Sequence, residues 1–302
     1  MARLTGAAPV REPAIEVAAL SKTFRGGARA LDSVSLDVAP GEMVALIGSS
    51  GAGKSTLLRH ICGLSQADRD QGEGSVRVMG RSVQRHGRLS GEFRSLRSEL
   101  GVLFQQFNLV PRLSVLCNVL IGRLGRLPRY RSLTGLFPPA DQREAMQALA
   151  RVGIAETALQ RAQTLSGGQQ QRAAIARLMV QRARVVLADE PVASLDPASS
   201  RRVMELLAGL CSEAGVPVLV SLHQIEYAWR YCRRTIAMQD GRVVFDGPSH
   251  ELDNRLLERI YGTHSEELVF PGAARPMDGD APAPFSVTTP QPSATGVEHV
   301  QS

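Results

Sequence analysis

The run Gly48-Ser49-Ser50-Gly51-Ala52-Gly53-Lys54-Ser55-Thr56 constrains this 302-residue chain more than any other. It satisfies G-x-x-x-x-G-K-[ST], and it separates two segments of opposite character. Glu42 to Ile47 is an apolar, strand-like run, and Thr56 to Ile61 reads as a helix. Strand, glycine-rich turn and helix in that order form the context in which such a loop wraps a phosphate chain. The glycines let successive backbone N–H groups face inward, and the helix start adds a positive dipole end. On the phosphoryl-transfer template, Lys54 is expected to bridge the β- and γ-phosphates of a bound nucleoside triphosphate and Ser55 to hold Mg²⁺. The chain has only two lysines, Lys22 and Lys54, and arginine supplies nearly all its basic charge. One of the two stands where a compact, single-point cation fits a phosphate.

A second constellation follows downstream. Val185-Val186-Leu187-Ala188-Asp189-Glu190 is a continuous apolar run ending in two carboxylates, the pattern of a parallel strand buried on both faces. Ligands of open α/β sheets bind beyond the carboxyl ends of such strands. That position suits Asp189 to a metal-bound water and Glu190 to the attacking water. A helix cap or a solvated turn would use the same residues, and the upstream loop favours the chemical reading. Leu165-Ser166-Gly167-Gly168-Gln169-Gln170-Gln171-Arg172 places exposed backbone N–H groups at the start of a helix expected over Gln169–Met179. This is another anion site, although a Leu-Ser-Gly-Gly run alone is more often a loop ahead of a helix cap.

With these motifs in this order, the chain resembles the ATP-binding cassette (ABC) ATPases over roughly residues 14 to 262. The resemblance implies an α/β P-loop nucleotide-binding domain: a RecA-like core, an antiparallel β subdomain and an α-helical subdomain, about 110–180, carrying the LSGGQ signature. It implies roles for further residues. Phe24 is similar to the aromatic that stacks on adenine, the alternative being a core phenylalanine. Gln105 resembles the glutamine that reaches Mg²⁺ and water, Ser194-Leu195-Asp196 the D-loop, and His223 the switch histidine at the γ-phosphate. It also implies a head-to-tail homodimer in which Ser166, Gly167, Gly168 and Gln169 act across the interface on ATP held by the partner. Such γ-phosphate-held closure is a general switching mode.

Within that superfamily, Phe104–Val110, Arg112–Leu116, Asn118–Gly122, Ala188–Pro197, Ser221–Gln224 and Val244–Gly247 resemble the ATPase subunits of bacterial phosphonate importers. The implied setting is the cytoplasmic face of the inner membrane. The implied partners are two transmembrane permease subunits and, indirectly, a periplasmic or lipid-anchored solute-binding protein. Phosphite or another oxyanion is an alternative solute, and a lipoprotein-release or cell-division ATPase an alternative relative. Cys117 departs from the glutamate usual in this stretch. A chromosome or DNA-repair ATPase would need a long heptad insertion between Lys54 and Ser166, and the interval leaves no room for one, so nucleic acid is not an expected partner.

The remaining features are less specific. No apolar run is long enough to span a bilayer, and Met1–Pro13 lacks the apolar stretch of a secretory signal. Cys62, Cys117, Cys211 and Cys232 are scattered and read as reduced thiols without a metal site. The formal net charge is +6 and the pI about 9.6. Arginines cluster over Arg81–Arg97 and Arg123–Arg131, either as a solvated face or as a patch near acidic lipid. Residues 1–13 read as a flexible N-terminus and 263–302 as a disordered Pro- and Ala-rich tail.

Overall fold

The computed structural model describes residues 12–69, 74–127 and 137–261. The expectations for 1–11, for 262–302 and for most of the Arg129–Phe137 insert lie outside the described residues. Two sheets organise the rest. Strands β1 (Ile15–Thr23), β2 (Arg29–Val38), β4 (Ser75–Val78), β5 (Arg81–Arg85) and β6 (Arg88–Leu89) form an antiparallel sheet in the order β2-β1-β4-β5-β6. Strands β3 (Met43–Ile47), β7 (Leu100–Leu103), β8 (Val185–Asp189), β9 (Val218–Ser221), β10 (Arg234–Gln239) and β11 (Arg242–Pro248) form a second, ordered β11-β10-β3-β9-β8-β7. Its strands run parallel except β11, which pairs antiparallel to β10 at the edge.

The continuous apolar runs are central strands with two buried faces, as their patterning predicts. Alternate residues point to opposite sides. On β3, Met43, Ala45 and Ile47 join one core while Val44 and Leu46 join the other. On β8, Val186 and Ala188 separate from Val185 and Leu187 in the same way. The first core lies under the helices Val115–Leu120, Pro139–Arg151, Gly167–Gln181 and Pro197–Ala214. The second lies between the two sheets and holds the helix Lys54–Ile61. The phosphate loop therefore springs from the middle of the larger sheet, with its helix wedged between sheets.

Several local expectations shift. Arg81–Arg97 contains the hairpin β5–β6 and a short helix, Phe93–Leu96, rather than a uniform basic face. Val83 and Gln84 point inward, and Arg81 pairs with Glu99 at 2.8 Å. In the second arginine cluster Arg123 is spent on Asp141 at 2.8 Å. The helix expected from Asp141 begins at Pro139, because proline suits the first turn, where its missing N–H is no loss. The closing helix expected over Glu251–Tyr261 is a 3-10 turn, Ser249–Glu251, followed by a helix from Asn254 to Tyr261.

Candidate active site

Gly48 follows β3 and Gly53 precedes the loop helix, both with positive φ (149° and 103°). A Cβ at Gly48 would stand 2.3 Å from the Met238 carbonyl oxygen, and one at Gly53 would stand 2.4 Å from that of Ala30. Backbone from β10 and β2 thus touches the loop where a side chain would be, and glycine is required sterically as well as conformationally. The Gly48 N–H donates to the Tyr261 hydroxyl at 3.2 Å. Burial pushes the Tyr261 phenol up to about 12, keeping it neutral. Ala52 N–H closes the loop onto the Ser49 carbonyl, and Gly241 N–H donates to the Ala52 carbonyl. Ser50 and Gly51 face solvent at the loop's outer turn.

Lys54 is 4% exposed. Its Nζ curls back to donate to the carbonyls of Gly48 (2.7 Å) and Ser49 (3.0 Å). Burial lowers its pKa, and the charges of Glu190 and Asp189 partly oppose that shift. The next residue, Ser55, donates from Oγ to Asp189 Oδ1 at 2.9 Å across 134 residues of sequence. The carbonyl of Thr56 accepts from the His60 ring at 2.7 Å. The end of β8 and the start of the loop helix are therefore joined side chain to side chain.

Glu190 leaves β8 in the left-handed region, φ 50°. Its Oε1 lies 2.6 Å from His223 Nε2, and since a carboxylate only accepts, the ring nitrogen donates. His223, expected to face a γ-phosphate, thus contacts Glu190 here. Ser221, two residues earlier, accepts the Glu190 N–H at 2.8 Å and donates to Asp189 Oδ1 at 2.9 Å. Sequence reading passed over both Ser221 and Tyr261. The one available signal was a hydroxyl closing the apolar run Val218–Val220 beside His223.

Phe24 is 48% exposed, which removes the core alternative. It sits in the turn between β1 and β2, where its N–H donates to the Ala28 carbonyl. Gln105 is exposed in the loop after β7. Ser166 and Gln169 form a reciprocal capping box at the helix Gly167–Gln181. Gly168 packs against Ser199, and Gly167 against Leu195. Asp196 caps the helix Pro197–Ala214, accepting from the N–H groups of Ala198 and Ser199. Hydrogen bonding from Ser199 holds the Asp196 carboxyl below its ordinary range.

A family profile described as ABC transporter matches residues 31–193. A protein of Cupriavidus pinatubonensis named "Phosphonates import ATP-binding protein PhnC" is 60% identical over 256 residues, covering 85% of this chain and 90% of that one. A protein of the same name from Stutzerimonas stutzeri is 57% identical over 87% of this chain and 95% of its own. Among solved structures, a dimeric ATP-binding cassette in a post-hydrolysis state, bound to ADP and Pi, aligns with TM-score 0.67 and 32% identity. It covers 78% of this chain and 98% of that one. The chain belongs to the ABC transporter family and is an ATP-binding cassette ATPase.

Proposed function

We propose that this chain is the ATP-hydrolysing subunit of a phosphonate importer, working as a homodimer beneath two transmembrane permease subunits at the inner face of the cytoplasmic membrane. The observation that carries the catalytic part is the joined pair of contacts, Ser55 to Asp189 and His223 to Glu190, beside buried Lys54. The solute is argued from the relatives' names, because the fold of a cassette does not itself specify what is transported.

In this reading the loop N–H groups from Gly51 to Thr56 and the Lys54 ammonium hold the β- and γ-phosphates, and Phe24 stacks on the base. The Ser55 hydroxyl and the Asp189 carboxylate are hard oxygen donors already in contact, a fit for Mg²⁺, which keeps most of its shell as water and phosphate; Gln105, exposed in the loop after β7, is the third group that the family resemblance would assign to it. When bound, that ion neutralises charge developing on the phosphates. Glu190 accepts a proton from the water that attacks the γ-phosphorus, and the bond to the β–γ bridging oxygen breaks, giving ADP and phosphate. His223 holds the carboxylate through Oε1. Ser166, Gly167, Gly168 and Gln169 supply donors to the ATP of the second copy, with Asp196 fixing the adjoining helix.

Replacing Glu190 by Gln keeps shape and removes the base, so turnover falls roughly 10²–10⁴-fold. A strain deleted for this gene and supplied with methylphosphonate, phosphite or phosphate as sole phosphorus source tests the whole reading. Growth failure on phosphonate alone, rescued by wild type and not by Glu190→Gln, is the expected result. Failure confined to phosphite changes the solute, and unaltered growth on all three removes the importer assignment.

A further inference from the structure

Ser221 ends the central strand β9 and is fully buried. It stands in register with Asp189 of β8 on one side and Leu46 of β3 on the other. Its hydroxyl donates to Asp189 Oδ1 and accepts the Glu190 N–H, so one oxygen engages both carboxylate residues. The second bond falls where the backbone most needs fixing. Glu190 turns out of the strand at positive φ, a conformation unfavourable to a residue with a side chain, and Pro191 behind it narrows its choices further. Residues held in such regions persist when their surroundings over-determine them. Here the Glu190 N–H is held by Ser221, and its carbonyl accepts from Ala193 N–H at 3.1 Å.

We propose that Ser221 is the positioning residue for Glu190: its hydroxyl fixes the left-handed turn that aims the Glu190 carboxylate at His223 and at the attacking water. The proposal rests on Glu190 being the base. Ser221 acts through Glu190 and is not itself a catalytic residue. Outer-shell groups that orient metal ligands typically cost 10–100-fold in affinity or activity when removed, and the hydroxyl behind Glu190 is expected to fall in the same range.

The test compares purified Ser221→Ala, Ser221→Cys, Ser221→Thr, Glu190→Gln and the Ser221→Ala/Glu190→Gln pair. Ser221→Ala is expected to lower kcat about 10–100-fold while KM for ATP and equilibrium ADP affinity move less than about threefold, the split expected when only the transition state is affected. Ser221→Cys keeps the volume, loses the strong acceptor, and falls with Ala, so a poorly folding Ala variant leaves the test intact. Ser221→Thr keeps the hydroxyl and restores most turnover. In the Glu190→Gln background, removing the hydroxyl adds less than about threefold, because residues acting as one unit are non-additive. With Glu190→Gln inactive, near-wild-type turnover of both the Ala and Cys variants overturns the proposal. So does a loss of ADP affinity matching the loss of kcat, or a full additive loss in the double variant. Near-wild-type turnover of Glu190→Gln instead removes the reading of Glu190 as base.

Discussion

Two buried basic residues on one helix, Lys54 and His60, face opposite problems. Lys54 is held by two carbonyls rather than by a carboxylate, so its ammonium stays near the loop's inner wall with Glu190 and Asp189 as distant counter-charges. Its desolvation is a standing cost that an incoming phosphate offsets. His60 has no such ligand to await. It is completely buried, its Nδ1 donates to Thr56 O, and its Nε2 lacks a hydrogen bond of good geometry. Burial lowers its pKa below 6.5, outweighing the backbone groups of Thr56 and Gln66 and the charge of Asp68; Lys22 lowers it further. A ring neutral in the fold and protonatable in the unfolded chain contributes stability that is complete above pH 6.5 and is lost as pH falls toward the folded-state value. The slope from this one proton is at most about 1.4 kcal/mol per pH unit. Thermal melts at stepped pH values are expected to fall below pH 6.5 more steeply for the wild type than for His60→Gln. Parallel curves for the two proteins would remove the assignment.

At the scale of elements, the helices Gly167–Gln181 and Pro197–Ala214 meet end to end through small side chains. A Cβ on Gly168 would lie 2.4 Å from Ser199 Oγ and 2.7 Å from its Cβ. Ser199 in turn donates its N–H to Asp196, the cap of its own helix. The signature turn and the Asp196 turn are therefore one packed unit. Gly168→Ala is expected to destabilise by about 1–3 kcal/mol, the usual cost of overpacking, and Ser199→Gly in the same chain is expected to restore part of that. An unchanged melting temperature for Gly168→Ala would mean that the two turns are not in this contact. The helix at Ser166 was legible because a capping serine and a glutamine three residues on are local signals. The β5–β6 hairpin was not, because its arginine-rich strands bury only Val83 and Gln84 and give no clean alternation. Tyr261 was illegible for another reason: its partner, Gly48, is 213 residues away, and no local pattern records such a meeting.

At the scale of the whole molecule, the described residues leave one side of the site open. His223 is 43% exposed and Phe24 48%, whereas Glu190 is 17% exposed and Lys54 is buried. The motif residues were readable one by one, since each carries its own chemistry in a few adjacent letters. Their spatial relation was not, because it is set by strand order, and β3, β9 and β8 lie side by side although far apart in sequence. That order gathers Lys54, His223 and Glu190 at the carboxyl edge of one sheet, where open α/β sheets bind ligands. The exposed capping box at Ser166 adds a second helix start able to donate to an anion. A 32%-identical cassette has been captured as a dimer after hydrolysis. If ATP is the adhesive between two copies, blocking hydrolysis must make the closed dimer accumulate. Glu190→Gln incubated with ATP is expected to elute at twice the 32.5 kDa of the single chain, and with ADP at the single-chain mass. Wild type with ATP returns to the single-chain position as the nucleotide is consumed. Adding Ser166→Arg, which puts a long cation where the exposed cap stands, is expected to abolish the ATP-dependent species without changing the melting temperature by more than about 2–4 °C, the shift that 1 kcal/mol produces in a domain of this size. A Glu190→Gln protein that stays single-chain with ATP at concentrations well above its Kd would show that γ-phosphate contacts do not hold two copies together.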